Sequence, residues 1–234
     1  MKIKFHYIFI VGLALAVISC KKDNYEAPAT NFIGRVVYQG TPINVEHNQV
    51  YLELWQTGFG KNGSIGMPIS QDGNFSALLF NGNYKLTLSN GQGPFMWKST
   101  GGKPDSIALA ITGNQSMDLE VTPFYMIRNI QLTSASGKVT AAFKVEKIIT
   151  DAANAKDIER VTLYVNKTQF VSGGDNISAS DLAITPTTDF NSVTLSATVP
   201  AISPTQNYVF ARVGVKIAGV EDMIFSPVTK VQTQ

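Results

Sequence analysis

The chain has 234 residues, 44% of them hydrophobic and only 15% charged, with 19 Lys+Arg, 17 Asp+Glu, two histidines and one cysteine. That length supports one large domain or two small ones, each with its own core, and the low charge and plentiful glycine lean towards an all-β chain. The near balance of charge leaves no basic field to hold a phosphate backbone, which argues against nucleic acid as a partner.

Residues 1–19 predict a signal peptide. Lys2 and Lys4 precede an apolar run over 7–18, which falls short of the ~20 residues that a membrane-spanning helix needs. Val17-Ile18-Ser19-Cys20 resembles the lipobox of bacterial lipoproteins. The resemblance implies cleavage before Cys20 and a lipid carried on it; the alternative is a plain secretory leader with an incidental cysteine. Loss of Lys2 and Lys4 leaves 17 basic and 17 acidic side chains. Residues 20–29 then form a lipidated tether. Its charged run from Lys21 to Glu26 resembles the signal that exports lipoproteins of Bacteroidota to the outer face of the outer membrane. The expected location is therefore the outer membrane, lipid-anchored and displayed at the cell surface. With no second cysteine there is no disulfide, so the fold must rest on its core.

Short alternating segments bounded by Gly, Pro, Asn and Asp dominate the rest, the pattern of β-sandwiches. The first predicted strand covers 32–38. In the second, over 50–55, Val50, Leu52 and Leu54 share one face, and Tyr51, Glu53 and Trp55 share the other. A glycine-rich loop follows over 57–66, then a short strand over 67–70. Asp72-Gly73 and Asn81-Gly82 mark tight turns before strands over 74–80 and 84–88. A loop over 90–104 holds Phe95, Met96 and Trp97, and strands over 106–111 and 117–121 complete the first unit. Thr122-Pro123-Phe124-Tyr125 reads as a seam, because proline ends a strand and stiffens a linker. Beyond it strands are expected over 127–132, 138–147, 158–165, 193–199, 208–217 and 223–231. The stretch 150–157 can form a helical turn, and 175–189 has no assignment. The reading is thus two tandem β-sandwiches, over 30–122 and 123–234.

Gly34-Arg35-Val36-Val37, Gly40-Thr41-Pro42, Asp72-Gly73-Asn74-Phe75 and Gly82-Asn83-Tyr84-Lys85-Leu86 follow one another in the order of a prealbumin-like, carboxypeptidase-regulatory-type module. With Gly93-Pro94-Phe95-Met96-Trp97, Val121-Thr122-Pro123-Phe124-Tyr125 and Ile158-Glu159-Arg160-Val161, nearly the whole mature chain resembles a family of Bacteroidota lipoproteins. The resemblance implies a prealbumin-like first domain and a fibronectin- or immunoglobulin-like second domain. It also implies a setting in starch-utilisation-type loci, beside a TonB-dependent transporter.

Chemistry is sparse. The mature chain keeps one histidine, His47, in a polar stretch, with nothing beside it to build a nucleophilic triad. Two histidines and one cysteine cannot supply the usual zinc sets, and no calcium loop occurs. Glu46, Glu53, Glu120, Glu146 and Glu159 form no recognisable hydrolase pair, and no phosphate-binding glycine pattern is present. No cofactor, metal or catalytic residue is expected. Aromatic side chains are the better lead, since rings stack on the apolar C–H faces of sugars while polar neighbours hold the hydroxyls. Trp55, Phe59, Phe95 and Trp97 are the candidate carbohydrate contacts, against the alternative that they pack within the fold. The expected function is non-catalytic assistance to glycan capture or uptake. The alternative is an assembly subunit that docks on a transporter complex without touching sugar.

Overall fold

The structure, a computed structural model, describes residues 26–57 and 63–233. The first domain contains β1 (Thr30–Tyr38), β2 (Thr41–Pro42), β3 (Tyr51–Trp55), β4 (Ser64–Pro68), β5 (Asn74–Leu79) and β6 (Gly82–Leu88). It continues with β7 (Phe95–Met96), β8 (Ser99–Thr100), β9 (Lys103–Pro104), β10 (Ile107–Ile111), β11 (Gln115–Glu120) and β12 (Thr122–Pro123). Its two main sheets are β11-β1 with β2 and β5 on the far side of β1, and β10-β6-β3-β4. β1 lies parallel to β11, pairing Phe32 with Gln115 and Arg35 with Asp118, and antiparallel to β5. Phe32, Val36, Phe75 and Leu119 from one sheet join Leu52, Leu54, Leu86 and Ile111 from the other in the core. The face expected for β3 is the one observed: Leu52 and Leu54 are buried and Trp55 is exposed.

The second domain contains β13 (Tyr125–Ala135), β14 (Lys138–Lys147), β15 (Ile158–Asn166) and β16 (Ser178–Asp181). Then come β17 (Val193–Thr198), β18 (Tyr208–Ile217), β19 (Ile224–Phe225) and β20 (Thr229–Gln232). One sheet runs β13-β14-β17; the other runs β16-β15-β18, with β19 and β20 both paired to β18. The chain is thus all-β, two sandwiches in tandem. Some boundaries differ from the sequence pattern. The strand expected over 67–70 begins earlier, at Ser64. The unassigned connection 175–189 supplies β16. The span 223–231 divides into β19 and β20 around Pro227, which has no N–H for a ladder. Over 150–157 there is one turn, with Ala155 N–H donating to Asp151 O at 2.8 Å.

From Val161 onward β15, and the middle of β18, are buried on both faces. Val161, Leu163, Val213 and Val215 point into the second core, while Thr162, Tyr164 and Arg212 on the opposite face are also buried. The cover on that face includes residues 43–45 of the first domain, which bond to both domains. Ile43 N–H donates to Val36 O at 2.9 Å, within its own domain. Asn44 O accepts from Phe225 N–H at 2.9 Å, forming a bridge to β19. Val45 O accepts from Arg212 Nη1 at 3.0 Å.

Arg212 is 0% exposed. Its Nε donates to Val171 O, and its guanidinium carbon lies 3.8 Å from the centre of the Phe225 ring. Burial pulls its pKa down to about 10, opposed by the charges of Glu46 and Asp72, so it is still a cation at neutral pH. A buried cation is tolerated because carbonyl dipoles and an aromatic face replace its water. Replacing it by leucine leaves two buried carbonyls without a donor. Arg212→Leu is expected to lower the unfolding free energy by about 3 kcal/mol, measured by urea denaturation.

Candidate functional site

Trp55 ends β3 on the outer face of the β10-β6-β3-β4 sheet and is 41% exposed. Its indole Nε1 donates to Glu53 Oε2 at 3.0 Å, and Glu53 Oε1 in turn accepts from Ser89 Oγ at 2.8 Å. The alternation of β3 puts Glu53 and Trp55 on one face two residues apart, which makes this contact possible. The ring is therefore held in one orientation. Beside it lies a depression of about 340 Å³ lined by Trp55, Thr57, Asn83, Lys85, Ala108 and Ala110, among others. Register explains the hollow: Ala108 stands opposite Lys85 and Ala110 opposite Asn83. Two short side chains on β10 thus leave room beside the indole.

The other predicted aromatics do not join Trp55 there. Phe95 is 3% exposed, with its ring packed over Gly93, so it is a core residue rather than part of an open platform. Its pairing with Pro123 across β7 and β12 draws it inward. Trp97 is half-buried, its Nε1 donating to Asp105 O at 2.8 Å. It lines a separate depression of about 370 Å³ with Met96, Asp105, Ile107 and Glu120. The two carboxylates there are engaged: Asp105 faces Lys98 at 3.8 Å, and Glu120 accepts from Gln39 N–H at 2.6 Å. Phe59 and Cys20 lie outside the described residues.

A larger groove, about 950 Å³, lies elsewhere, on the outer face of the sheet containing β1. The sequence marks none of its residues as a sugar contact: His47 stands there only as a lone histidine, and Arg35 and Asn74 only within the motifs of the resemblance. Alternation places Ile33 and Arg35 outward on β1. Register sets Ser76 and Ser116 on either side of Ile33, and Asn74 and Asp118 on either side of Arg35. Arg35 and Asp118 form a two-pronged pair, Nε to Oδ1 at 3.1 Å and Nη2 to Oδ2 at 2.7 Å. Their hydrogen bond holds the Asp118 carboxyl below its ordinary value and raises that of Arg35. One wall includes His47, Asn48 and Ser70. The second domain braces it: the His47 ring packs 4.8 Å from that of Phe170, and Gln71 Nε2 donates to Gln169 O at 3.0 Å. The alternation of β1 could have flagged Arg35; nothing local pairs it with a residue 83 positions away.

Among the described residues, no group of three or more His, Cys, Asp or Glu could hold a metal ion, and no helix is long and apolar enough to cross a membrane.

Two family descriptions match, "Protein of unknown function (DUF3823) N-terminal domain" over 30–122 and "Domain of unknown function (DUF3823_C)" over 125–230. The chain belongs to the DUF3823 family. A crystal structure of a DUF3823 protein from Parabacteroides merdae is 36% identical, with a TM-score of 0.74, covering 88% of this chain and all of its own. One from Bacteroides ovatus is 27% identical, with a TM-score of 0.76 and the same coverage. A structure from Bacteroides uniformis described as a "putative carbohydrate binding protein" shares the fold at 15% identity, TM-score 0.66, also over 88% of this chain and all of its own. A search of curated proteins finds no match.

Gly93, in the loop that carries Phe95, donates its N–H to Asp222 Oδ2 of the second domain at 2.7 Å. Burial pushes the Asp222 carboxyl above its ordinary 3.8, partly offset by that N–H. The folded state therefore holds the proton more tightly than the unfolded one, and stability falls as pH rises from 3.8 through the raised value. Asn at this position keeps an oxygen for Gly93 and removes the charge. Thermal melts across that window are expected to show Asp222→Asn gaining stability relative to the parent as pH increases.

Proposed function

We propose that this DUF3823 protein is a non-catalytic, lipid-anchored glycan-binding protein of the outer membrane surface, accessory to glycan capture by a neighbouring TonB-dependent transporter. The observation that carries the reading is Trp55: an exposed indole, fixed through Glu53, beside a hollow with amide, amine and hydroxyl groups at its edge. A ring held in place loses little freedom when a sugar stacks on it, and the polar rim serves the hydroxyls. The carbohydrate-binding description of the Bacteroides uniformis neighbour fits this reading, although at 15% identity that likeness speaks for the fold alone. The anchor rests on the leader and on Cys20.

The assembly reading has one observation in its favour: Met96 and Ile107 are exposed beside Trp97, an apolar patch suited to a protein partner. The two readings separate by substitution. The full chain in detergent, screened against immobilised polysaccharides, is expected to bind at least one. Trp55→Ala should then weaken binding roughly tenfold, about 1.4 kcal/mol, while Trp97→Ala leaves it unchanged. Binding that survives Trp55→Ala removes the Trp55 shelf, and no binding to any polysaccharide removes the glycan reading and leaves docking. For the anchor, Cys20→Ser is expected to move the protein from the membrane to the soluble fraction and to abolish labelling by radioactive palmitate.

A further inference from the structure

The geometry points to a second saccharide site, on the opposite face of the first domain from Trp55: the groove over β11, β1 and β5, in which the Arg35–Asp118 pair recognises adjacent hydroxyls of a neutral sugar. It rests on the reading of the chain as a glycan binder but uses none of the Trp55 residues.

Four observations carry it. The groove, about 950 Å³, is of the size that encloses a small ligand. Its centre is Ile33, 50% exposed, with the short side chains of Ser76 and Ser116 on either side. An exposed aliphatic group flanked by hydroxyls suits the C–H face of a sugar ring with its hydroxyls turned outward. Next along the strand, Arg35 and Asp118 lie side by side with Asn74. The pair uses two of the guanidinium's five N–H groups and leaves lone pairs on the carboxylate, so donors and acceptors stand together. Neighbouring hydroxyls can each accept from one and donate to the other. Finally, the wall at His47 is backed by the ring of Phe170 from the second domain.

The same pair selects against an anion. Asp118 already occupies one edge of the guanidinium, so a carboxylate or sulfate taking the remaining N–H groups would sit beside its negative charge. A peptide adding as a strand is excluded for another reason: the groove lies on a sheet face, where backbone groups are already paired within the sheet. Nor is the pair needed for the fold. Both partners are about half exposed, 47% and 49%, and such pairs contribute little to stability. Substitutions here therefore leave a folded protein.

The test maps backbone amide shifts of the full chain in detergent against maltohexaose, cellohexaose, xylohexaose, mannohexaose and hexagalacturonate, each at millimolar concentration. At least one neutral hexasaccharide is expected to shift Ile33, Arg35, Ser76 and Ser116. Asp118→Ala should weaken that response at least tenfold without altering shifts around Trp55, and Trp55→Ala should leave the groove response intact. Shifts around Trp55 alone overturn this inference and spare the proposed function; silence on both faces overturns both. A groove response to hexagalacturonate only, or one that Asp118→Ala does not weaken, also overturns it.

Discussion

One buried arginine and three consecutive backbone residues hold the two domains as a single body. Arg212 stands on the outer face of β18, a position that a free sandwich would give to solvent. Its hydrogen bonds run to Val45 in one domain and Val171 in the other. Residues 43–45 bond in turn to β1, to β19 and to Arg212, so the segment belongs to both sandwiches. The energetic logic is one of compulsion rather than of surplus. Once the cation and the carbonyls have left water, separating them without rehydration is very unfavourable.

The same seam shapes the surface. Phe170 and Gln169 of the second domain bear on His47 and Gln71, which belong to the first domain near the groove over β1. Asp222 reaches across to Gly93, under the loop that buries Phe95. The features with binding potential are thus built on strands or braced by the neighbouring domain. Trp55 follows the same rule on a smaller scale, its ring set by a carboxylate two residues back on the same strand.

How much of this could be read from the sequence depends on the range of the interaction. The faces of β3, the turn at Asp72-Gly73 and the restart of the pattern after Pro123 are local properties, and they appear in the fold as expected; at Asn81-Gly82 the chain only bends, and Gly82 already opens β6. β16 was illegible because Ser178–Asp181 is short and polar and takes its form from pairing with β15. Phe95 misled because a loop rich in Gly and Pro suggests exposure, whereas pairing with Pro123 turns its ring inward. Arg212 sits in an alternating strand where a charge ordinarily means water. Residues 43–45, arriving from the other domain, help to make it interior together with Val171 and Phe225, and the partnership of Arg35 with Asp118 is equally remote in sequence.

That remoteness also sets an order of events. The β1–β11 ladder cannot close until residue 115 and its neighbours are present, and the bond from Arg212 to Val45 spans 167 positions. Asn44 waits longer still, for Phe225. A chain emerging from its N-terminal end therefore carries an incomplete first sandwich until about half of it has appeared, and residues 43–45 stay uncovered until nearly all of it has. Loop closures of this length are slow, and they favour an open chain over premature locking. The contact that makes the finished molecule rigid is among the last that can form, so the unfinished chain stays pliable for as long as it is being delivered.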